Sequence, residues 1–113
     1  MQRNVAGQTW SFHVKNKTTG SDITGEVNTT LTLYVSKDDG TPAAIAAIAA
    51  NTVVEISSTN MPGWYSAPLA IGETDANKLT FAGKTSTTNG VVEGAVVYTN
   101  FDVLRMRGAV TGH

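Results

Sequence analysis

The stretch Gly63–Leu79, "GWYSAPLAIGETDANKL", decides the reading of the fold. Its first half is led by Trp64 and Tyr65 and closes on Leu69. It reads as a strand entered from the turn "NMPG", because Pro and Gly punctuate and aromatic side chains favour a pleated surface. Its second half, "IGETDAN" (Ile71–Asn77), has no strand period and is rich in side chains that accept backbone N–H groups. A further apolar run, "KLTFAGKTS", then opens at Lys78–Leu79. Strand, corner, strand is the order a chain needs to pass from one sheet of a sandwich to the other. In that corner Thr74 or Asp75 is expected to cap a single helical turn with Ala76 tucked beneath it, which gives Glu73 and Asp75 a structural job.

Outward from the corner the same alternation returns. "QTWSFHVKN" (Gln8–Asn16) places Trp10, Phe12 and Val14 on one face and Ser11, His13 and Lys15 on the other. "TTLTLYVSKDDG" (Thr29–Gly40) turns Leu31, Leu33 and Val35 inward and ends in a tight turn at Asp38-Asp39-Gly40, with a short paired segment expected near Ile23–Val27. "PAAIAAIAANTVVEISS" (Pro42–Ser58) reads as two strands meeting at Asn51-Thr52, although Ile45 and Ile48 on an alanine background have the spacing of a helical turn. "TTNG" (Thr87–Gly90) signals a hairpin into "GVVEGAVVYT" (Gly90–Thr99). About seven short strands punctuated every 8 to 12 residues predict an all-β chain folded as a sandwich. Its core is expected to hold Trp10, Phe12, Leu31, Leu33, Trp64, Leu69, Phe81 and Val97, with Tyr65 on the face opposite Trp64.

The 113 residues suit one domain, read as a sandwich over 1–99 followed by a C-terminal arm over 100–113. Eight Lys and Arg against nine Asp and Glu leave a net charge of -1, without the basic excess that binding a phosphate backbone requires, so no nucleic-acid partner is expected. No apolar run approaches the roughly 20 residues of a membrane span, and "MQRNVAGQTW" lacks the apolar segment of a secretory signal. The absence of cysteine excludes disulfides, thiolate metal sites and cysteine nucleophiles. Only 15% of residues are charged, against about 25% in ordinary soluble domains. Such a surface is either a β face solvated by threonines or one covered by neighbouring subunits.

Groups able to do chemistry are sparse. Glu73 and Asp75 form no calcium loop, and Asp38-Asp39-Gly40 is a turn signal. His13 sits on the polar face of its strand and His113 is the last residue, so neither is placed for a Ser-His-Asp triad. "GTPAA" and "TTNGVVEG" lack the lysine and spacing of a phosphate loop. No catalytic residue, metal ligand or cofactor is expected. Trp10, Trp64 and Tyr65 could line a carbohydrate or peptide groove, but a small sandwich also needs large side chains as core anchors. The end of the chain, "NFDVLRMRGAVTGH" (Asn100–His113), combines apolar residues with arginines. Phe101, Leu104, Arg105, Met106 and Arg107 suit either an arm lying on a neighbouring subunit or a terminal strand of the same domain.

"AGQTWSFHVKNKTTGSDITG", "LTLYVSKDDGTPAA", "GWYSAPLAIGETDANKLTFAGK" and "VVEGAVVYTNFDV", in that order, resemble a β-sandwich module of structural proteins of tailed bacteriophages. The residues carrying the likeness are Gly63-Trp64-Tyr65, Glu73-Thr74-Asp75-Ala76, and Tyr98-Thr99 running into Phe101-Asp102-Val103. The resemblance implies a seven-stranded, immunoglobulin-like sandwich with an extended C-terminal arm and no catalytic role. It implies a place in the virion, assembled in the host cytoplasm, and the chain's size, sparsely charged surface and apolar tail favour a capsid cement or decoration protein there. The implied partners are the major capsid protein or other virion subunits, with a homo-oligomer, a trimer by the symmetry of capsid sites. A tail, neck or fibre component has the same likeness. A carbohydrate- or receptor-binding module built on Trp64 and Tyr65 is the reading from another class.

Overall fold

Residues 1–99 are described by the computed structural model. Among the described residues eight strands form: β1 (Thr9–Asn16), β2 (Leu31–Lys37), β3 (Ala43–Ala44), β4 (Val54–Ser57), β5 (Met61–Pro68), β6 (Lys78–Thr85), β7 (Gly90–Val92) and β8 (Ala95–Tyr98). They make two antiparallel sheets, ordered β4-β5-β1-β7 and β3-β2-β6-β8, which pack as a sandwich. The strand count exceeds the expected seven because "GVVEGAVVYT" is split. Its first part, β7, pairs with β1, and its second part, β8, pairs with β6 across the other sheet. "TTNG" is therefore a turn between sheets and not a hairpin. Asn89 does adopt the left-handed conformation (φ 61°), and Gly90 N–H donates to Thr87 O at 3.0 Å.

The core is an aromatic seam closed by aliphatic side chains. Trp10 stacks on Phe81 of the opposite sheet (centroids 5.0 Å apart) and leans on Phe12 at 4.8 Å, while Phe12 stacks on Tyr65 at 5.6 Å. Leu31, Leu33, Val35, Leu69, Leu79 and Val92 are buried around it, and Val97 packs half-buried at its margin. Trp64 is a correction. It is 39% exposed, whereas Tyr65 is completely buried. In β5 the inward residues are Gly63, Tyr65 and Ala67, a phase that continues to buried Leu69, so Trp64 must face out. Burying Tyr65 is tolerable because its hydroxyl is paired, donating to Ile23 O at 2.8 Å and accepting from Glu26 N–H at 3.0 Å.

The segment Pro42–Asn51 is also corrected. Only Ala43–Ala44 is strand, and Ala46–Ala50 forms a helical turn, α1, stopped by Asn51 at φ 59°. Alanine favours the helix, and Asn tolerates the left-handed stop. Ile23–Val27 forms no strand. That loop is held to the sheets by the bridge between Lys15 and Asp22, by the Tyr65 hydroxyl, by Glu55 at the Gly25 N–H and by the Thr85 hydroxyl at the Glu26 carboxylate.

The stretch Ile71–Asn77 does carry the chain between sheets, from β5 to β6, through a 3-10 turn at Ile71–Thr74. Its cap differs from the sequence reading. Glu73 takes the Ala70 N–H at 2.7 Å with one oxygen and the Ala46 N–H at 2.8 Å with the other, tying the corner to α1. Asp75 instead meets Arg3, Nε to Oδ1 3.1 Å, at the surface. Glu73→Ala is thus expected to cost about 0.5–2 kcal/mol, the loss of a cap, and Asp75→Ala at most about 1 kcal/mol, the worth of an exposed ion pair. Urea melts of the two variants check the order, and equal losses would overturn it.

Candidate functional site on the outer face of the first sheet

The arm residues Phe101, Leu104, Arg105, Met106 and Arg107 lie outside the described residues. Among the described residues the densest grouping of functional side chains is on the outer face of the sheet β4-β5-β1-β7. It has an apolar half and a charged half.

The apolar half comes from the edge. Val54 and Ile56 of β4 are exposed and lie beside Trp64 of β5, with Met61 exposed at the start of the same strand. Two valine-class residues point outward because β4 turns its acidic residue inward. Glu55 accepts the Gly25 N–H at 3.2 Å and the Gly63 N–H at 3.1 Å. Its carboxylate thereby satisfies two backbone donors that have no sheet partner at this end of the sandwich.

The charged half centres on His13, which pairs in register with Trp64 across β1 and β5. The imidazole lies on the indole, centroids 4.9 Å apart and planes 27° apart. Its Nδ1 is 2.7 Å from Glu93 Oε1 and its Nε2 is 2.6 Å from Asp22 Oδ1. Only 14% of the side chain is exposed. Burial alone would lower the His13 pKa, but hydrogen bonds to Glu93 and then to Asp22, with the charges of both, outweigh it and raise the pKa. Glu93 is held below the ordinary carboxylate range, chiefly by its hydrogen bond to His13. Neighbouring backbone fixes the geometry: Ile23 N–H donates to Val14 O at 3.0 Å and Glu93 N–H to His13 O at 2.9 Å.

Sequence reading placed His13 on the polar face but missed this clamp, because Asp22 and Glu93 are separated from it by a loop and by most of the chain. One local signal exists in Pro62-Gly63. Gly63 has φ +80°, and a Cβ there would lie 3.1 Å from His13 Nε2 and from Asp22 Cβ.

With each ring nitrogen committed to a carboxylate, His13 has no free nitrogen for accepting a proton from a substrate. Among the described residues no group of three or more His, Cys, Asp or Glu is arranged to hold a metal ion, and no helix is long and apolar enough to cross a membrane. Tyr65, buried, cannot line a sugar groove, which leaves Trp64 as the exposed aromatic of that pair. The outer face of the second sheet has a shallow groove lined by Tyr34, Ser36, Pro42, Thr80, Ala82 and Lys84. The Ser36 hydroxyl there donates to Gly40 O at 2.8 Å, which gives it a structural use. No family model, curated protein or solved structure matches the chain.

Proposed function

We propose that this chain is a non-enzymatic structural protein of a bacteriophage virion, a cement or decoration protein that binds the assembled head. The observation that carries the reading is the outward apolar strip Val54, Ile56 and Trp64 on a chain with only 15% charged residues. Such a strip gains free energy when a neighbour covers it, and a surface low in charge loses little when it is desolvated. Val96 and Tyr98 of the edge strand β8, also exposed, extend the same character to the second sheet. The two packed antiparallel sheets supply the sandwich on which the reading rests.

In this reading Asn100–His113 is the arm. Phe101, Leu104 and Met106 gain burial on a neighbouring capsid subunit, and Arg105 and Arg107 pair with its carboxylates or carbonyls. Thr99, the last described residue, is anchored to the residue before β6, its N–H donating to Asn77 O at 2.9 Å. A chain ending at Thr99 is expected to keep a melting temperature within a few degrees of the whole chain yet fail to join or stabilise the particle. Arg105→Ala with Arg107→Ala should weaken attachment in a milder, salt-dependent way. Unfolding of the shortened chain would make the arm a strand of its own sandwich. A copy number on the order of hundreds per particle supports the head; a much smaller count moves the protein to the tail, neck or fibres.

A further inference from the structure

A neutral imidazole carries one N–H and one lone pair, so it can donate to one carboxylate only. His13 has carboxylate oxygens at 2.7 Å and 2.6 Å from its two ring nitrogens. Were the ring neutral, one of those contacts would set a lone pair against an anionic oxygen. Both distances suit charge-assisted bonds, and only the imidazolium donates to both carboxylates at once. The flat face of that cation rests on the Trp64 indole, where a positive charge is attracted by the ring's negative face.

Asp22 is in the loop between β1 and β2, where the bridge to Lys15 consists of two backbone bonds, Asn16 N–H to Ser21 O at 2.8 Å and Ile23 N–H to Val14 O at 3.0 Å. The rest of the loop is tied separately, by Tyr65, Glu55 and Thr85 to Ile23, Gly25 and Glu26. Glu93 is at the junction where the chain leaves β7 for β8. We propose that His13 is a proton-operated latch: charged, it pins Asp22 and the Glu93 junction against the outer face at Trp64, and losing its proton releases Asp22 and loosens the bridge on which it stands.

Asp22 is the side that opens because the remaining N–H is better kept by Glu93. The backbone N–H of Glu93 donates to His13 O, and Lys15 Nζ lies 3.9 Å from its Oε1, so Glu93 stays anchored either way. The other packed elements bring no competing charge to the ring. β5 presents Trp64 and Gly63, Tyr65 faces the core, and Glu55 of β4 is occupied by the N–H groups of Gly25 and Gly63. Gly63 makes room, since any side chain there would fill the space taken by His13 and Asp22.

The direction with pH follows from the sign of each shift. His13 is raised above its ordinary 6.5, so the latch is complete below about 6.5 and is lost as pH rises through the higher folded value. Glu93 is lowered from 4.5, so its bond survives mild acid and fails only as pH falls through the lower folded value.

The test uses the full chain between pH 5 and 9. Proton NMR follows the ring of His13, told apart from His113 by the variant His13→Gln, while tryptophan emission follows Trp64, with Trp64→Phe leaving only Trp10. The expected result is a single midpoint above 6.5 shared by the His13 ring and Trp64 emission, which rises as the quenching cation disappears. Amide protection at Asn16 and Ile23, the two N–H groups of the Lys15–Asp22 bridge, referred to the exchange of an unfolded chain at each pH, should fall about tenfold across that midpoint. Asp22→Asn keeps the fold in reach should His13→Gln lose it, and should bring the midpoint down and leave protection flat with pH. A midpoint at or below 6.5, or loop protection unchanged across the titration in the parent chain, overturns the latch.

Discussion

Changing Tyr65 to alanine is expected to unfold the domain, or to leave it within a kcal/mol or two of unfolding. Removing a fully buried ring costs on the order of 3–5 kcal/mol. Here the loss is compounded, because the Tyr65 hydroxyl also serves Ile23 O and the Glu26 N–H, and each buried group left unpaired adds about 1–3 kcal/mol. A domain of this size has only about 5–15 kcal/mol in total. Tyr65→Phe keeps the ring against Phe12 and should lose only the hydroxyl's share, about 1–3 kcal/mol. Trp64→Ala, one residue earlier and on the outside, should cost less than Tyr65→Phe combined with loss of packing, and no more than about 1.5 kcal/mol. Urea midpoints of the three variants measure this directly. Equal losses for Trp64→Ala and Tyr65→Ala would mean that the phase of β5 is wrong.

The second large effect is expected at Gly63→Ala. Its φ of +80° is a conformation that L residues avoid, and the added Cβ would stand 2.9 Å from Val14 O, a backbone atom that cannot swing away. Backbone strain of this kind costs about 1–3 kcal/mol, and the clash adds to it. Gly72→Ala is the control, since its φ is not positive and nothing lies within 4 Å of the position a Cβ would take. We expect Gly63→Ala to drop the denaturation midpoint sharply and to move the His13 ring resonances, and Gly72→Ala to do neither. A Gly63→Ala protein as stable as the parent would remove the close approach of β5 to the His13 clamp.

Much of the fold was legible because period-2 alternation is a local signal. Trp10-Phe12-Val14 and Leu31-Leu33-Val35 declare their inward faces without help from the rest of the chain. The misplaced tryptophan shows what size alone can hide. Trp64 and Leu69 are an odd number of positions apart and cannot share one face of a regular strand, so assigning Leu69 to the core already requires Tyr65 and Ala67 beside it. The division of Gly90–Thr99 between two sheets was not legible, because Gly94 reads as a weak point in one strand and only the partners reveal a corner. The His13 clamp was hidden for another reason. Its three charged members come from β1, a loop and a strand junction, and no spacing rule links residues that meet only through tertiary structure.

The position of β1 in the middle of its sheet bears on how the chain reaches this structure. β1 finds no partner among the strands that immediately follow it. Its neighbours are β5 and β7, and Val14 pairs with Val92, which leaves the ribosome roughly 80 residues later. At about 5–20 residues per second, Trp10, Phe12 and Val14 wait for several seconds as an apolar strand with both edges open. Folding should therefore be slow for so small a protein, in the millisecond-to-second range of non-local β topologies. The nascent chain is most open to aggregation or chaperone capture in the interval before β5 and β7 arrive.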